Sequence, residues 1–451
     1  MSQLDFNHYN EAIEWIIGRI PFGIRPGLAR MEALMERLGN PEHRLKFIHV
    51  AGTNGKGSTC AFLTEVLIQS GYDVGTFTSP YIEKYTSRMQ YNGVNIPEAD
   101  LLQLCNKLKP HVDAIAETEL GSPTMFEVST ALAILYYATV VYPDYVVWET
   151  GLGGRLDSTN IVNPVISVIT NVGHDHMEIL GNTLELVIEE KAGIIKAGVP
   201  VVSAVEQPEA IAVLERICAK QKATLYLMNR EYAYQAVSSQ LNEQKFNFKG
   251  LFRGLDGLGI SLNGAHQYKN AAIAIMTLEV LRQYYALIVE DNVLIRALKT
   301  TKWPGRLEMI SEQPRILLDG AHNPEGAQTL ATALQQTYMY KKLHFMMGMM
   351  GTKHHSDYLR HILPLVDTLI VTEPNFRNQM DSHRLADLAR TVVDELKLEV
   401  EIVVEPDWKQ AWLRLKNFVA VEDLGVISGT LYLISDVRSW ILHESDSEKG
   451  W

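Results

Sequence analysis

HVAGTNGKGSTCAF, residues 49–62, decides the fold. The apolar run LKFI precedes it, and a helix-like pattern follows. Strand, glycine-rich turn, lysine, hydroxyl and helix, in that order, is how a chain grips a phosphate. The spacing departs from G-x-x-x-x-G-K-[ST]. Val50 stands where the first glycine would be, and Gly57 separates Lys56 from Ser58. Gly52, Gly55 and Gly57, with Thr53 and Asn54 between them, let backbone N–H groups approach an anion closely. A helix starting at Ser58 or Thr59 adds the positive end of its dipole. Lys56, expected to face solvent without ligand, supplies a point charge, and Ser58 or Thr59 can face a magnesium ion. The plain alternative is an ordinary turn with an exposed lysine. The flanking strand and helix argue against it.

Working outward, apolar β-rich runs recur: LKFIHV, YDVGTFT, DYVVWE, PVISVIT and VPVVSAV. Longer amphipathic stretches, such as 58–69 and 124–137, separate them. Strands alternating with helices imply a parallel sheet covered on both faces. Residues 225–262 read as short antiparallel strands, and HQYKNAAIAIMTLEVLRQYY as a long helix. KTTKWPGRLE carries the turn pair Pro304-Gly305 and reads as a linker. The alternation then restarts with RILLDGA, KLHFMMGMM, TLIVTEP, EIVVEP and LGVISGTLYLI. This is an α/β chain in two units, residues 1–300 and 307–451, joined by 301–306.

The chain has 451 residues, 47% of them hydrophobic, enough for two or three cores. A formal charge of -12 argues against general nucleic-acid binding, which needs a basic face. Three cysteines without metal-type spacing fit a reducing cytoplasm better than a disulfide framework. MSQLDFNHYN does not read as a signal peptide, and no uncharged apolar run is long enough to span a membrane.

Three more strand ends carry unusual loops: SPYIEKYTSRM, TGLGGRLDSTN and NVGHDHMEILG. Ligands of open parallel sheets bind beyond the carboxyl ends of the strands. Ser79, Glu149, Asp157, Asp175 and His176 are therefore expected to converge on the phosphate loop. A carboxylate ending YVVW is costly unless it meets a cation. Its bland alternative is a surface glutamate. Lys191, within IEEKAGIIKAG, reads on its own as a solvated helix lysine.

Taken in series, GTNGKGS, TSPYI, ETGLGGRLDSTN, ITNVGHDHMEILGNTLE, EKAGIIK, GAHQYKNAAIA, WPGRLE and DGAHNPEG resemble the folylpolyglutamate synthase and dihydrofolate synthase family, a branch of the Mur ligase superfamily. The resemblance implies a Rossmann-like P-loop ATPase domain with a mainly parallel sheet and a small antiparallel subdomain. A second, smaller α/β Rossmann-like domain follows. It also implies an ATP- and magnesium-dependent ligase joining L-glutamate to folate or dihydropteroate through an acyl phosphate. By that pattern Ser79, Glu149 and His176 bind magnesium, although a histidine is an atypical ligand for so hard an ion. Lys191 matches a carbamylated lysine. Asn270 lies on the adenine side, and Arg306, Asp319 and His322 contact the nucleotide. Asp157 and Ser158 lie where the pterin substrate is engaged. One departure is GTKHH, 351–355, where an acidic pair around Lys353 is expected. The resemblance further implies a cytoplasmic monomer with small-molecule substrates.

Two alternatives stand beside it. A peptidoglycan-type Mur ligase carries a further domain before its phosphate loop, whereas here the loop starts near residue 50. A P-loop switch would turn over nucleotide without forming an amide, and leaves DGAHNP and WPGRLE without a role.

Overall fold

The computed structural model describes residues 5–19, 25–351 and 354–448. Its largest sheet has eight strands: β1 (Phe47–Ala51), β2 (Val74–Phe77), β3 (Met89–Tyr91), β4 (Val94–Asn95), β5 (Tyr145–Glu149), β6 (Ile166–Ile169), β7 (Val201–Ser203) and β8 (Leu225–Leu227). The order is β4-β3-β2-β5-β1-β6-β7-β8. From β2 to β8 the pairings are parallel, and β3 and β4 add an antiparallel edge. All five residues of β1 and of β5 are buried, as continuous apolar runs between two helical layers should be. The chain leaves β1 toward β2 and leaves β5 toward β6, in opposite directions. The crevice at the carboxyl ends of these two neighbours is therefore the switch point where ligands bind.

One face of the sheet packs on helices Lys56–Gln69, His266–Tyr285 and Asp291–Thr300. The other packs on Glu98–Ala116 and Met125–Tyr136. Thr124 and Glu127 form a reciprocal capping box that starts the latter helix. Both stretches read as amphipathic are instead buried almost all round, because each lies between the sheet and a further helical layer.

β9 (Tyr232–Gln240), β10 (Glu243–Gly250) and β11 (Gly254–Ile260) make a separate antiparallel sheet. β8, expected to belong with them, pairs instead with β7. The third sheet comprises β12 (Glu308–Glu312), β13 (Arg315–Leu318), β14 (Leu343–Met347), β15 (Thr368–Glu373), β16 (Glu401–Asp407) and β17 (Leu424–Ser428). Its order is β12-β13-β17-β14-β15-β16, parallel except for β12, with a core on each face. LYLI, read as part of a strand, instead opens helix Leu431–His443, capped by Thr430.

Candidate active site

The carboxyl ends of the two large sheets face one cleft of about 300 Å³. Gly52, Thr53, Asn54, Gly55, Lys56, Gly57 and Ser58 form its floor. The helix begins at Lys56, two to three residues earlier than expected, because Gly55 supplies a left-handed N-cap (φ 82°). A side chain on Gly55 would collide with Asn270. The first-turn amides, which have no intrahelical acceptor, are thus presented to the cleft. Asn171 Oδ1 accepts from the N–H groups of Thr53 (3.1 Å) and Asn54 (2.8 Å), and the Thr170 hydroxyl donates to Asn54 O (2.7 Å). The extra glycine has a packing reason: a Cβ on Gly57 would lie 2.6 Å from the Trp303 indole. Lys56 does not stand free in solvent. Its Nζ donates to Gly52 O (3.0 Å) and Thr53 O (3.4 Å), which parks the ammonium over the loop.

Glu149 ends β5 with only 3% of its surface exposed, which removes the surface-glutamate reading. Its Oε2 accepts the Ser79 N–H at 3.0 Å. Burial pushes its pKa up to about 7, opposed by Lys56, the Ser79 amide, Arg306 and Arg88. A buried carboxylate at a cleft, with one oxygen held by an amide, can offer an anionic oxygen ligand to a hard divalent ion. Among the described residues no three His, Cys, Asp or Glu side chains converge as a metal cage. Magnesium takes one or two carboxylates plus phosphate and water oxygens, and Glu149 can supply one such carboxylate. His176 also lines the cleft. It has φ 54° and caps the short helix Met177–Leu180, with its ring 3.7 Å from Glu178 and 3.9 Å from Asp175.

Lys191, in helix Leu184–Ala192, is 3% exposed and lines the same cleft, so it is not a solvated lysine. Burial and the nearby Lys56 lower its pKa to about 7, with Asp175 and Asp157 pulling the other way. The 150–155 loop packs on the end of this helix. Gly154 packs so closely on the carbonyls of Glu190 and Lys191 that a Cβ would clash with both.

The third sheet forms the opposite wall. Gly320 leaves room for Arg306, whose guanidinium would overlap any side chain there. Asp319 spends both oxygens on backbone, accepting from Leu307 N (3.0 Å) and Ala321 N (2.9 Å). It therefore shapes the turn that presents Arg306 and His322. His322 Nδ1 lies 2.8 Å from Gly320 O, and its Nε2 lies 3.5 Å from Asp175. Asn323 caps helix Pro324–Thr337 and donates to Asn54 Oδ1 (3.3 Å) and Asp175 Oδ2 (3.2 Å). Glu325 accepts the His174 N–H at 2.9 Å. The two walls are thus hydrogen-bonded across the cleft. Asn270 lines the cleft and donates to Gln267, which in turn donates to the Ser58 hydroxyl.

Three expected residues do not line the cleft. Thr59 points into the core, its hydroxyl buried without a partner. Asp157 is buried and caps the turn Ser158–Ile161 through Thr159 N, with its other oxygen on Leu152 N (2.7 Å). Ser158 meets Thr130 at 2.9 Å. Lys353 lies outside the described residues. Asn171, His266, Lys269, Asn323 and Glu325 line the cleft without having been singled out. All five fall inside the motifs quoted above, ITNVGHDH, GAHQYKN and DGAHNPEG, which is the signal that could have found them.

The Mur ligase middle domain family matches residues 50–278, and the Mur ligase glutamate ligase domain family matches residues 305–431. Over 434 residues the chain is 39% identical to the dihydrofolate synthase/folylpolyglutamate synthase of Bacillus subtilis, covering 96% of this chain and 99% of that one. It resembles the crystal structure of folylpolyglutamate synthase from Thermotoga maritima with a TM-score of 0.84 and 31% identity, over 98% and 99% of the two chains. The Escherichia coli enzyme FolC in complex with DHPP and ADP gives a TM-score of 0.86 at 25% identity, over 97% and 99%.

Proposed function

The chain belongs to the folylpolyglutamate synthase and dihydrofolate synthase family of Mur ligases, and from that premise we propose how its cleft performs the family's reaction. It is an ATP-dependent ligase that adds L-glutamate to folate, with dihydropteroate as a second acceptor. The acceptor carboxylate is a poor electrophile, so it first attacks the γ-phosphorus of ATP. A carboxylate O–P bond forms, the bond to the bridging oxygen breaks, and ADP leaves. The amino nitrogen of glutamate then attacks the acyl carbon. The C–N bond forms, the C–O bond to phosphorus breaks, and the amine gives up a proton.

Phosphoryl transfer calls for positioning and charge neutralisation. The amides of 52–58 and the Lys56 ammonium hold the phosphates, Arg306 and His322 reach them from the opposite wall, and Asn270 lies on the adenine side. Thr59 acts from beneath, as packing for the loop helix. Ser79, Glu149 and His176, which line the cleft, would hold magnesium, and the ion when bound would neutralise phosphate charge. Lys191 acts as its carbamate, an anion with oxygen donors on that side of the cleft. Asp157 and Ser158 support the acceptor side by fixing the turn that follows the 150–155 loop. The two units, 1–300 and 307–451, close on the linker 301–306. A cytoplasmic monomer is the form the family resemblance implies, and both walls of the cleft come from one chain. Among the described residues no helix is long and apolar enough to cross a membrane.

The observation that carries this reading is one cleft holding a phosphate loop, a buried carboxylate, a buried lysine and an opposing arginine. The test is nucleotide turnover with and without acceptor. ADP should form one-for-one with amide, and only when acceptor and glutamate are both present. Turnover indifferent to acceptor would favour the switch reading. Running dihydropteroate against a reduced folate in the same assay tells a bifunctional from a monofunctional enzyme.

Glu149→Gln keeps the shape of the carboxylate and removes its charge. The magnesium concentration for half-maximal activity should rise at least about tenfold, since the ion relies on anionic oxygen. An unchanged magnesium titration would remove Glu149 from metal binding.

A further inference from the structure

Outside the cleft, one arginine joins three parts of the chain. Arg438 lies in helix Leu431–His443, whose first residue lines the cleft. Its Nε (3.0 and 3.1 Å) and Nη2 (2.9 Å) donate to the Glu308 carboxylate, and its Nη1 donates to Glu83. Glu308 opens β12, and its Oε2 accepts the Gly305 N–H at 2.7 Å, so it grips the residue just before Arg306. Glu83 sits between β2 and β3, in the segment that begins at Ser79, whose N–H holds Glu149. The same segment is tied a second time. His443 Nε2 lies 3.4 Å from Glu83 Oε2. Glu448 N donates to Glu83 O (2.9 Å), while the Glu448 carboxylate accepts from Tyr85 N (2.7 Å) and the Tyr9 hydroxyl (3.0 Å).

The Arg438 side chain is 15% exposed, and those of Glu83 and Glu308 are 21% and 22% exposed, so solvent screens this knot only in part. A guanidinium fork fixes orientation as well as distance, which a lysine cannot do. Arg438 itself does not line the cleft.

We propose that Arg438 is a positioning residue for ligation. With Glu308 and Glu83 as its two handles, it couples the linker that carries Arg306 to the segment that carries Ser79. The two walls are thereby held in register. This rests on the roles given above to Arg306 and Ser79. A displacement of about 1 Å at reacting groups can cost about 100-fold in rate.

The test uses the full chain with Arg438→Lys, which keeps the charge and most of the stem and loses the fork, and with Arg438→Ala. Turnover, ATP affinity by equilibrium titration, and hydrogen exchange of the 79–88 amides are measured together. Arg438→Lys should lower kcat about tenfold and Arg438→Ala about 100-fold, the larger figure being the cost of such a displacement. ATP affinity should fall by clearly less than turnover does, because the glycine loop that makes the other phosphate contacts is untouched while Arg306 is displaced, and the 79–88 amides should exchange faster. Glu83→Gln added to Arg438→Ala should cost little more, because the two share one interaction. Turnover of Arg438→Lys within about twofold of the parent chain, unchanged exchange, additive losses in the double variant, or ATP binding lost in step with turnover would each overturn the role. Lys56→Ala, run alongside, separates the failures. If it still forms amide, the reading of the cleft fails. If it is inactive while Arg438→Lys is normal, only the coupling role fails.

Discussion

Lys191→Ala should be nearly inactive, down by about 1,000-fold, comparable to losing a principal electrostatic contact in an active site. A carbamate forms when a neutral amine attacks CO2, making a C–N bond and releasing a proton. At the usual lysine pKa only about one amine in 2,500 is neutral at pH 7. Burial and the Lys56 charge bring Lys191 down to about 7, where roughly half is neutral. The neutral fraction grows as pH rises through that value. The parent enzyme in CO2-depleted buffer should therefore lose activity most below pH 7 and regain it on adding bicarbonate. Lys191→Ala should be partly restored by acetate or propionate, which can occupy the vacated space and supply the missing oxygens. Lys191→Met, which refills the space with apolar atoms, should not be restored. Full activity in Lys191→Ala, or the same response to acetate in both variants, would remove the carbamate from the mechanism.

Lys56→Ala should abolish amide formation, with a loss beyond about 1,000-fold, because one deletion acts in three ways. The phosphates lose a point charge. Glu149 loses the largest influence that opposes its protonation, so it ionises less readily. Lys191 keeps its burial but loses a positive neighbour that adds to its effect, so its pKa rises part of the way. The fold should survive, since among the described residues the ammonium donates to two loop carbonyls, Gly52 O and Thr53 O, and to no element of the core. Thermal unfolding should shift by no more than a few degrees, the scale of about 1 kcal/mol in a domain of this size. Loss of activity accompanied by unfolding would make Lys56 structural. Normal turnover would take the glycine loop out of the chemistry.

What the sequence made legible follows from how local each signal is. The turn at 52–58 could be recognised because its glycines, lysine and hydroxyl each answer a requirement within seven residues. The strands of both parallel sheets were legible because burial on both faces leaves unbroken apolar runs. The burial of Lys191 was not legible from EEKAG, which looks like a solvated helix end. It depends on tertiary packing, in which the 150–155 loop, distant in sequence, seats against the end of that helix. LYLI reads equally well as strand or helix, and the Thr430 cap decides. The edge strands β4 and β12 are too short and too polar to announce themselves. The turn-forming role of Asp157 was hidden because a carboxylate two residues before a threonine can cap a turn or meet a ligand. The Arg438 knot is the most remote feature, joining residues 355 and 130 positions apart.

The central claim is that the acceptor carboxylate is phosphorylated before glutamate attacks. It is tested most directly with acceptor carrying 18O in its reacting carboxylate. Turnover with ATP and glutamate should place one labelled oxygen in the phosphate released for each amide formed, because the C–O bond to phosphorus is the one that breaks. Phosphate free of label, with amide still accumulating, would contradict the account.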